Sequence, residues 1–370
     1  MTLDRNLTAP FVTAWLLNVQ HSFGSNLSLE VGYVANHGSN LTGFRDINQV
    51  NPNSAAEIAC GHCEQAGRPY DQAFPFLSYI YQMLNEYKSN YDGLQATLTG
   101  KNYRGISFIA GYTYAHALDD TSANWGENLA AGLPQNSLNP AAEYGNSDFD
   151  MRNRFTLSAS YEVPGRDGFG QTLKGWTLNG ILTLDSPQFW GPTDTADDIS
   201  LTGEHADRWN FFGDPKDFKS THTAIAYFSG TSNQACVTQA ATPALMTSLE
   251  EFGCYAKGNS VMTPPALGTF GTMGRNIFPD SGFKNLDFSV AKNWKFKERV
   301  TIQFRAEFFN IPNHPNFANP AGGQNGFGQN DPSSPGTFGC GCATPDVAAS
   351  NPVIGSGGPR AMQLGSKFIF

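Results

Sequence analysis

Segments of about ten residues in which apolar and polar side chains alternate strictly constrain this chain more than any other feature. Leu27, Leu29, Val31, Tyr33 and Ala35 interleave with Ser28, Glu30, Gly32 and Asn36. Phe155, Leu157, Ala159, Tyr161 and Val163 interleave with Thr156, Ser158, Ser160 and Glu162. Val300, Ile302, Phe304, Ala306 and Phe308 interleave with Thr301, Gln303, Arg305 and Glu307. Successive side chains of a strand point to opposite faces, so each segment reads as a strand with one apolar and one polar face. Nine such segments are present, at roughly 11–23, 27–36, 91–101, 106–116, 152–163, 176–185, 284–294, 299–309 and 360–370.

Their connections alternate in length. Gly24-Ser25-Asn26, Asn102-Tyr103-Arg104-Gly105, a Gly-rich turn at about 164–175 and Lys295-Phe296-Lys297-Glu298 join the strands in pairs. Long stretches rich in Asn, Pro, Gly, Ser and Asp separate the pairs. Tight turns at one end and long loops at the other is the layout of outer-membrane barrels, whereas a soluble sandwich keeps both ends short. The expected fold is therefore all-β: an antiparallel up-and-down transmembrane β-barrel, partial, with about nine strands of a larger barrel and long extracellular loops. An aromatic-rich soluble β-core is the competing reading. Charged residues are 15% of the chain, against roughly 25% in soluble domains. The mean hydropathy of −0.34 does not exclude a barrel, because alternation dilutes it. A formal charge of −9 gives no sign of a nucleic-acid partner, which would want a basic face.

Folding the fourth turn about residue 296 sets Phe288 opposite Phe304, Val290 opposite Ile302 and Asp287 opposite Arg305. Folding the second about 103 sets Leu98 against Phe108 and Leu94 against Tyr112. Aromatics gather near the short turns (Phe23, Tyr161, Trp176, Trp294) and nearer the loops (Trp15, Tyr33, Tyr112, Tyr114), as two interfacial girdles would. Glu30, Lys101, Glu162, Asp185, Asp287, Arg305 and Glu307 fall on the polar face as lumen-facing candidates. They are expected to solvate the lumen wall and contact a plug; the sharper alternative is substrate selection. Lys292 falls on the apolar face, two or three residues from a turn, and is expected to snorkel to the interface.

Short periplasmic turns make both the first and the ninth strand run inward. A single-chain barrel has an even strand number with both ends periplasmic, so at least one more strand is expected upstream. With no signal peptide legible at Met1-Thr2-Leu3-Asp4-Arg5-Asn6, residues 1–370 read as one barrel domain, a C-terminal fragment without plug or export signal.

No catalytic motif emerges, and neither an enzyme nor a cofactor is expected. Cys60/Cys63, Cys236/Cys254 and Cys340/Cys342 allow three local disulfides; a zinc site from Cys60-Gly61-His62-Cys63 with Cys340-Gly341-Cys342 is the alternative. Asp194, Asp197 and Asp198 offer either a calcium site or a solvated loop, the latter favoured for want of a ligand register. His116, Asp119 and Asp120 read as loop rim, with ligand contact as the alternative.

Several phrases resemble one family. Phe270-Gly271-Thr272-Met273-Gly274-Arg275-Asn276, Gly282-Phe283-Lys284-Asn285-Leu286-Asp287-Phe288-Ser289 and above all Gln303-Phe304-Arg305-Ala306-Glu307-Phe308-Phe309-Asn310-Ile311-Pro312-Asn313-His314-Pro315-Asn316-Phe317 are similar to the barrel end of Oar-like TonB-dependent receptors, which often carry a carboxypeptidase-regulatory-like domain. Asn90-Tyr91-Asp92-Gly93-Leu94-Gln95, Asp150-Met151-Arg152-Asn153-Arg154-Phe155 and the closing Pro359-Arg360-Ala361-Met362-Gln363-Leu364-Gly365 add to the likeness. The resemblance implies a larger barrel in the cell outer membrane, filled by a plug and driven by an energy-coupling protein. It also implies contact with outer-membrane lipid and with the barrel-assembly machinery, with Phe368 and Phe370 as the C-terminal assembly signal. A receptor or transporter of unknown substrate is the expected function. A surface-display or adhesion protein, with the barrel as anchor, is the alternative.

Overall fold

The computed structural model describes all residues except 53, 55–57, 60, 62–63, 123–132, 167, 169–170, 205, 297–299, 322–328 and 349–356. Nine long strands form one antiparallel wall: β1 (Phe11–Phe23), β2 (Leu27–Asp46), β3 (Tyr81–Tyr103), β4 (Ile106–Asp119), β5 (Asn153–Glu162), β6 (Trp176–Asp185), β7 (Phe283–Phe296), β8 (Val300–Phe309) and β9 (Ala361–Ile369). Each pairs with its chain neighbours, so the nine form a meander, to which Thr2–Leu3 adds in parallel on β3 and Gly145–Asn146 antiparallel on β4. Among the described residues it is not closed: β1 and β9 each carry one long-strand neighbour.

The register extends each face across all nine strands. Phe23, Leu27, Gly100, Phe108, Ala159, Gly180, Phe288, Phe308 and Met362 are successive cross-strand partners. Gln20, Glu30, Thr97, Gly111, Thr156, Thr183 and Asn285 are a corresponding row on the other face. The apolar face stays uncovered: Leu17 is 67% exposed, Leu364 57% and Phe368 64%. A soluble sheet would bury such a face; lipid solvates it. All eight girdle aromatics share the parity of this face.

The expected pairs at two turns shift, although every residue keeps its face. Phe288 lies opposite Phe308, Val290 opposite Ala306 and Arg305 opposite Ala291. The strands run on to Phe296 and Val300, which moves the turn outward and breaks the expected Asp287–Arg305 pair. At the second turn Leu98 meets Ala110 and Leu94 meets Tyr114. There Arg104 and Gly105 both have positive φ (52° and 87°), as a two-residue type I′ hairpin requires. A Cβ at Gly100 would lie 2.3 Å from a Phe108 ring carbon, so glycine lets the ring lie across the backbone and sets this register.

β3 is 23 residues long, roughly 75 Å of extended chain, although about ten residues cross a bilayer. The loop-side halves of β2 and β3, 37–46 and 81–90, therefore project beyond the membrane as a hairpin, bent by register shifts around Leu41. Above the wall the long connections fold into a cap. Asn210–Phe212, Ser260–Thr263, Cys254–Lys257 and Ala226–Phe228 form a four-stranded sheet in that order. Two short helices, α1 (Gln234–Gln239) and α2 (Pro243–Phe252), follow their N-cap residues Asn233 and Thr242. The cap has its own core of Trp190, Trp209, Phe218, Tyr255, Phe278 and Phe338. Each such aromatic contributes roughly 1.5–3 kcal/mol on burial.

Candidate functional site

Six of the seven charged candidates share the polar face by register: Glu30, Glu162, Asp185, Asp287, Arg305 and Glu307. Lys101 sits in the bulge between Gly100 and Tyr103, where its backbone N–H donates to the Asn26 carbonyl (2.8 Å). The six do not converge. Arg305 and Glu162 lie in one row, three strands and so roughly 14 Å apart. Five of them instead have local work. Asn18 Nδ2 donates to Glu30 (2.5 Å), Arg154 lies 3.6 Å from Asp185, and Arg305 lies 3.3 Å from Glu307. Asp287 accepts the Asn310 N–H at 2.9 Å. Exposed apolar side chains interrupt this polar face, among them Val12 and Leu16 on β1 (62% and 74%) and the pair Ile109 and Ile181, which flank Ser158 in one row (55% and 51%).

Lys292 does not snorkel. It is buried on the apolar face and donates to the backbone carbonyls of Gln171 and Lys174, in the turn between β5 and β6. The rings of Trp176 and Trp294 lie 5.3 and 5.2 Å from its ammonium. The cation thus clamps a short turn to the neighbouring strand.

In the cap, the expected loop acids are anchors. Asp194 is buried, accepts Trp209 Nε1 (3.1 Å) and the Asp197 N–H (2.9 Å), and is pushed up to about 6 by its burial. Asp198 accepts the N–H groups of Thr202 (3.0 Å) and Gly203 (2.9 Å). Neither a solvated loop nor a calcium site describes them: these carboxylates order the chain that carries them. Likewise Asp119 receives the Arg275 guanidinium, Asp120 accepts the Lys88 N–H (2.8 Å), and His116 accepts from Arg152 (2.6 Å). Cys236–Cys254 and Cys340–Cys342 are disulfides, so the zinc set loses its second pair. Cys60 and Cys63 lie outside the described residues.

Sequence reasoning missed the pins between loops. Glu143, from the β4–β5 connection, receives Arg208 from the β6–β7 connection through two bonds of 2.6 and 3.0 Å, with both side chains buried. Phe338, from the β8–β9 connection, packs 4.3 Å from Tyr255. Tyr79 donates to the Gly203 carbonyl at 2.5 Å, and the half-buried Glu204 beside it is raised to about 9, by burial first and by Asp46 next. The family-like phrases are pins too. Asn310 Nδ2 donates to the carbonyls of His314 (2.9 Å) and Gly358 (2.8 Å), and Asn316 bonds both ways with the backbone of Lys284. Together they tie the outer ends of β7, β8 and β9. Asn146 and Asn276 exchange side-chain bonds to each other's carbonyl at 2.9 Å.

A family model described as "Outer membrane beta barrel domain" matches residues 1–339. No curated protein matches the chain. Solved structures similar to it include the ferric preacinetobactin receptor BauA of Acinetobacter baumannii, at 10% identity and a TM-score of 0.41, covering 97% of this chain and 29% of that one. The pyoverdine outer membrane receptor FpvA of Pseudomonas aeruginosa PAO1 is 10% identical with a TM-score of 0.42, covering 98% and 30%. The ferric-catecholate import receptor Fiu of E. coli K12 is 9% identical with a TM-score of 0.39, covering 99% and 28%. The chain thus spans less than a third of the length of these receptors.

Proposed function

The chain belongs to the outer membrane beta-barrel domain family, and from that premise we propose that it is the C-terminal part of the barrel of an Oar-like TonB-dependent receptor that takes up a substrate. The observation that carries the reading is the open wall. β1 and β9 both run from the loop side toward the short turns, so an odd number of further antiparallel strands is needed between them. An unpaired edge in lipid leaves backbone groups unsatisfied at several kcal/mol each, so the wall requires that complement. The parent barrel supplies it, with a plug inside and an energy-coupling protein beneath.

Ile109 and Ile181 support an occupied lumen. On a water-filled wall they would be exposed to solvent, whereas a plug covers them. Glu30, Lys101, Glu162, Asp185, Asp287, Arg305 and Glu307 then solvate the lumen and contact that plug, and the loop cap admits the substrate from outside. The test is the parent protein itself. Its gene should encode a plug and an energy-coupling box ahead of these residues, and the protein crosslinked in cells should bring down the inner-membrane energy-coupling protein. A parent that lacks the plug and captures no such partner is a passive surface anchor, and the reading falls.

A further inference from the structure

Where the outer ends of β5 and β6 meet the cap lies a cavity of about 580 Å³, lined by none of the seven charged candidates. Its volume is in the range of small-molecule sites. Phe189, Ile277 and Pro279 supply an apolar floor, and Arg152, Lys216 and Lys219 supply the charge. Asp214 is the one carboxylate in the lining, and it caps the following turn by accepting the Lys216 N–H at 2.9 Å.

The cations are presented by rigid parts. Lys216 belongs to the 3₁₀ turn Pro215–Phe218, and Lys219 is its C-cap. With three residues per 3₁₀ turn, positions 216 and 219 eclipse, so both ammonium stems leave on the cavity side. Asp217 is turned the other way, where it accepts Ser260 Oγ (2.8 Å) and the Asn259 N–H (3.2 Å). Phe218 is fully buried and stacks 5.0 Å from Phe278, and the Ser220 N–H donates to the Pro279 carbonyl (3.0 Å). The turn is therefore anchored to the cavity floor. Behind it, Lys257 Nζ donates to the Lys219 carbonyl at 2.8 Å, adding a third ammonium close by. Arg152 forms the opposite wall, held by Asp150 at 2.8 Å, with its guanidinium 5.9 Å from the Phe189 ring. Its position leaves the lysine side of the cavity open to a ligand.

We propose that this cavity binds a phosphate monoester carried on an apolar body. The phosphate lies between Lys216, Lys219 and Arg152, where charge-assisted bonds are strongest, and the apolar body lies on Phe189 and Ile277. Such a group reaches this height either as the phosphorylated headgroup of an outer-leaflet lipid or as a free solute. The site is independent of transport through the lumen.

The test uses the full-length protein extracted from outer membranes in detergent. Phenyl phosphate should bind in calorimetry, benzyl alcohol should not, and raising the salt should weaken the phosphate complex. Lys216→Gln/Lys219→Gln should weaken binding at least tenfold, as should either single change by a smaller factor. Both lysines are solvent-exposed, so the variant barrel should assemble normally. Native mass spectrometry separates the sources. Lipid A retained by the native protein and lost in the double variant assigns the leaflet; phenyl phosphate binding with no retained lipid A assigns a solute. Absence of both complexes in the native protein overturns the proposal, as does a double variant that binds like the native protein.

Discussion

Removing the Glu143 carboxylate should open the cap without touching the wall. Arg208 meets Glu143 through two parallel bonds of 2.6 and 3.0 Å, and its Nε donates to the Met273 carbonyl at 3.0 Å. Gln135 extends the network, accepting the Arg208 N–H (2.7 Å) and donating to the Gly271 carbonyl (3.3 Å). The side chains of Arg208 and Glu143 are 8% and 6% exposed, so Glu143→Ala strands a guanidinium away from water. Stranding one partner of a buried pair costs about 3–5 kcal/mol. Local opening should therefore become roughly 10²- to 4 × 10³-fold more frequent. Hydrogen exchange of the full-length protein in detergent reads this directly: peptides around 206–212 and 271–275 should exchange faster, while β5 to β8 stay protected. The double variant Glu143→Leu/Arg208→Met should exchange more slowly than Glu143→Ala, because no charge is left buried. Unchanged exchange around Trp209 and Met273 in Glu143→Ala would refute the assignment of the pair as the pin between these loops.

Four further outcomes follow from the same geometry. Cys236→Ser/Cys254→Ser opens a loop of 18 residues and should destabilise the helical part of the cap by about 3 kcal/mol, seen as earlier thermal loss of its protease resistance. Burial raises Glu204 from 4.5 to about 9, so the packed loop favours the neutral acid while the opened loop ionises. The Tyr79–Gly203 junction should be tightest in acid and loosen as pH rises from about 4.5 to about 9; Glu204→Gln should flatten that dependence in a proteolysis profile, and an unchanged slope would remove Glu204 as its cause. Asn310→Ala leaves the carbonyls of His314 and Gly358 without their donor, at about 1–3 kcal/mol, and should lower the temperature at which the loop-side end of β9 becomes cleavable. Phe370 lies fully exposed just past β9; a charge there costs about 0–1 kcal/mol near the interface, so Phe370→Asp should slow insertion by the assembly machinery rather than lower stability, and equal insertion rates in liposomes would end that idea.

The wall was legible in the sequence because its physics is local. A strand's two faces alternate residue by residue, so Leu29, Leu157 and Phe304 declare their side without reference to any neighbour. Register is a different quantity, set by where the turn closes. The parity of Phe288 was right and its partner was four residues away, because β7 runs through to Phe296 before turning. The same holds at Gly100, whose fit beneath Phe108 sets the pairing by contact rather than by composition. The lengths of β2 and β3 were underread for a related reason. Beyond the membrane no lipid enforces alternation, so residues 37–46 and 81–90 keep the hydrogen bonds of a sheet without its binary pattern.

The cap was illegible because its order comes from pairs distant in sequence. Arg208 and Glu143 are 65 residues apart, Tyr79 and Gly203 are 124, and Arg275 and Asp119 are 156. Loops rich in Asn, Asp, Gly and Pro look solvated when read alone, yet those are the side chains that can cap stray N–H groups in irregular backbone. This changes the meaning of the family-like phrases. Asn310, Asn316, Arg275 and Asn276 are each held by bonds that tie strand ends to the cap or to one another, and none of them lines the cavity beside Lys216 and Lys219. Such pins would persist in relatives whose ligands differ, because they hold the outer rim of the wall whatever the loops above it bind. Of the residues in the phrases only Arg152 reaches that cavity; Lys216, Lys219 and the rest of its lining lie outside them, where neighbouring loops meet.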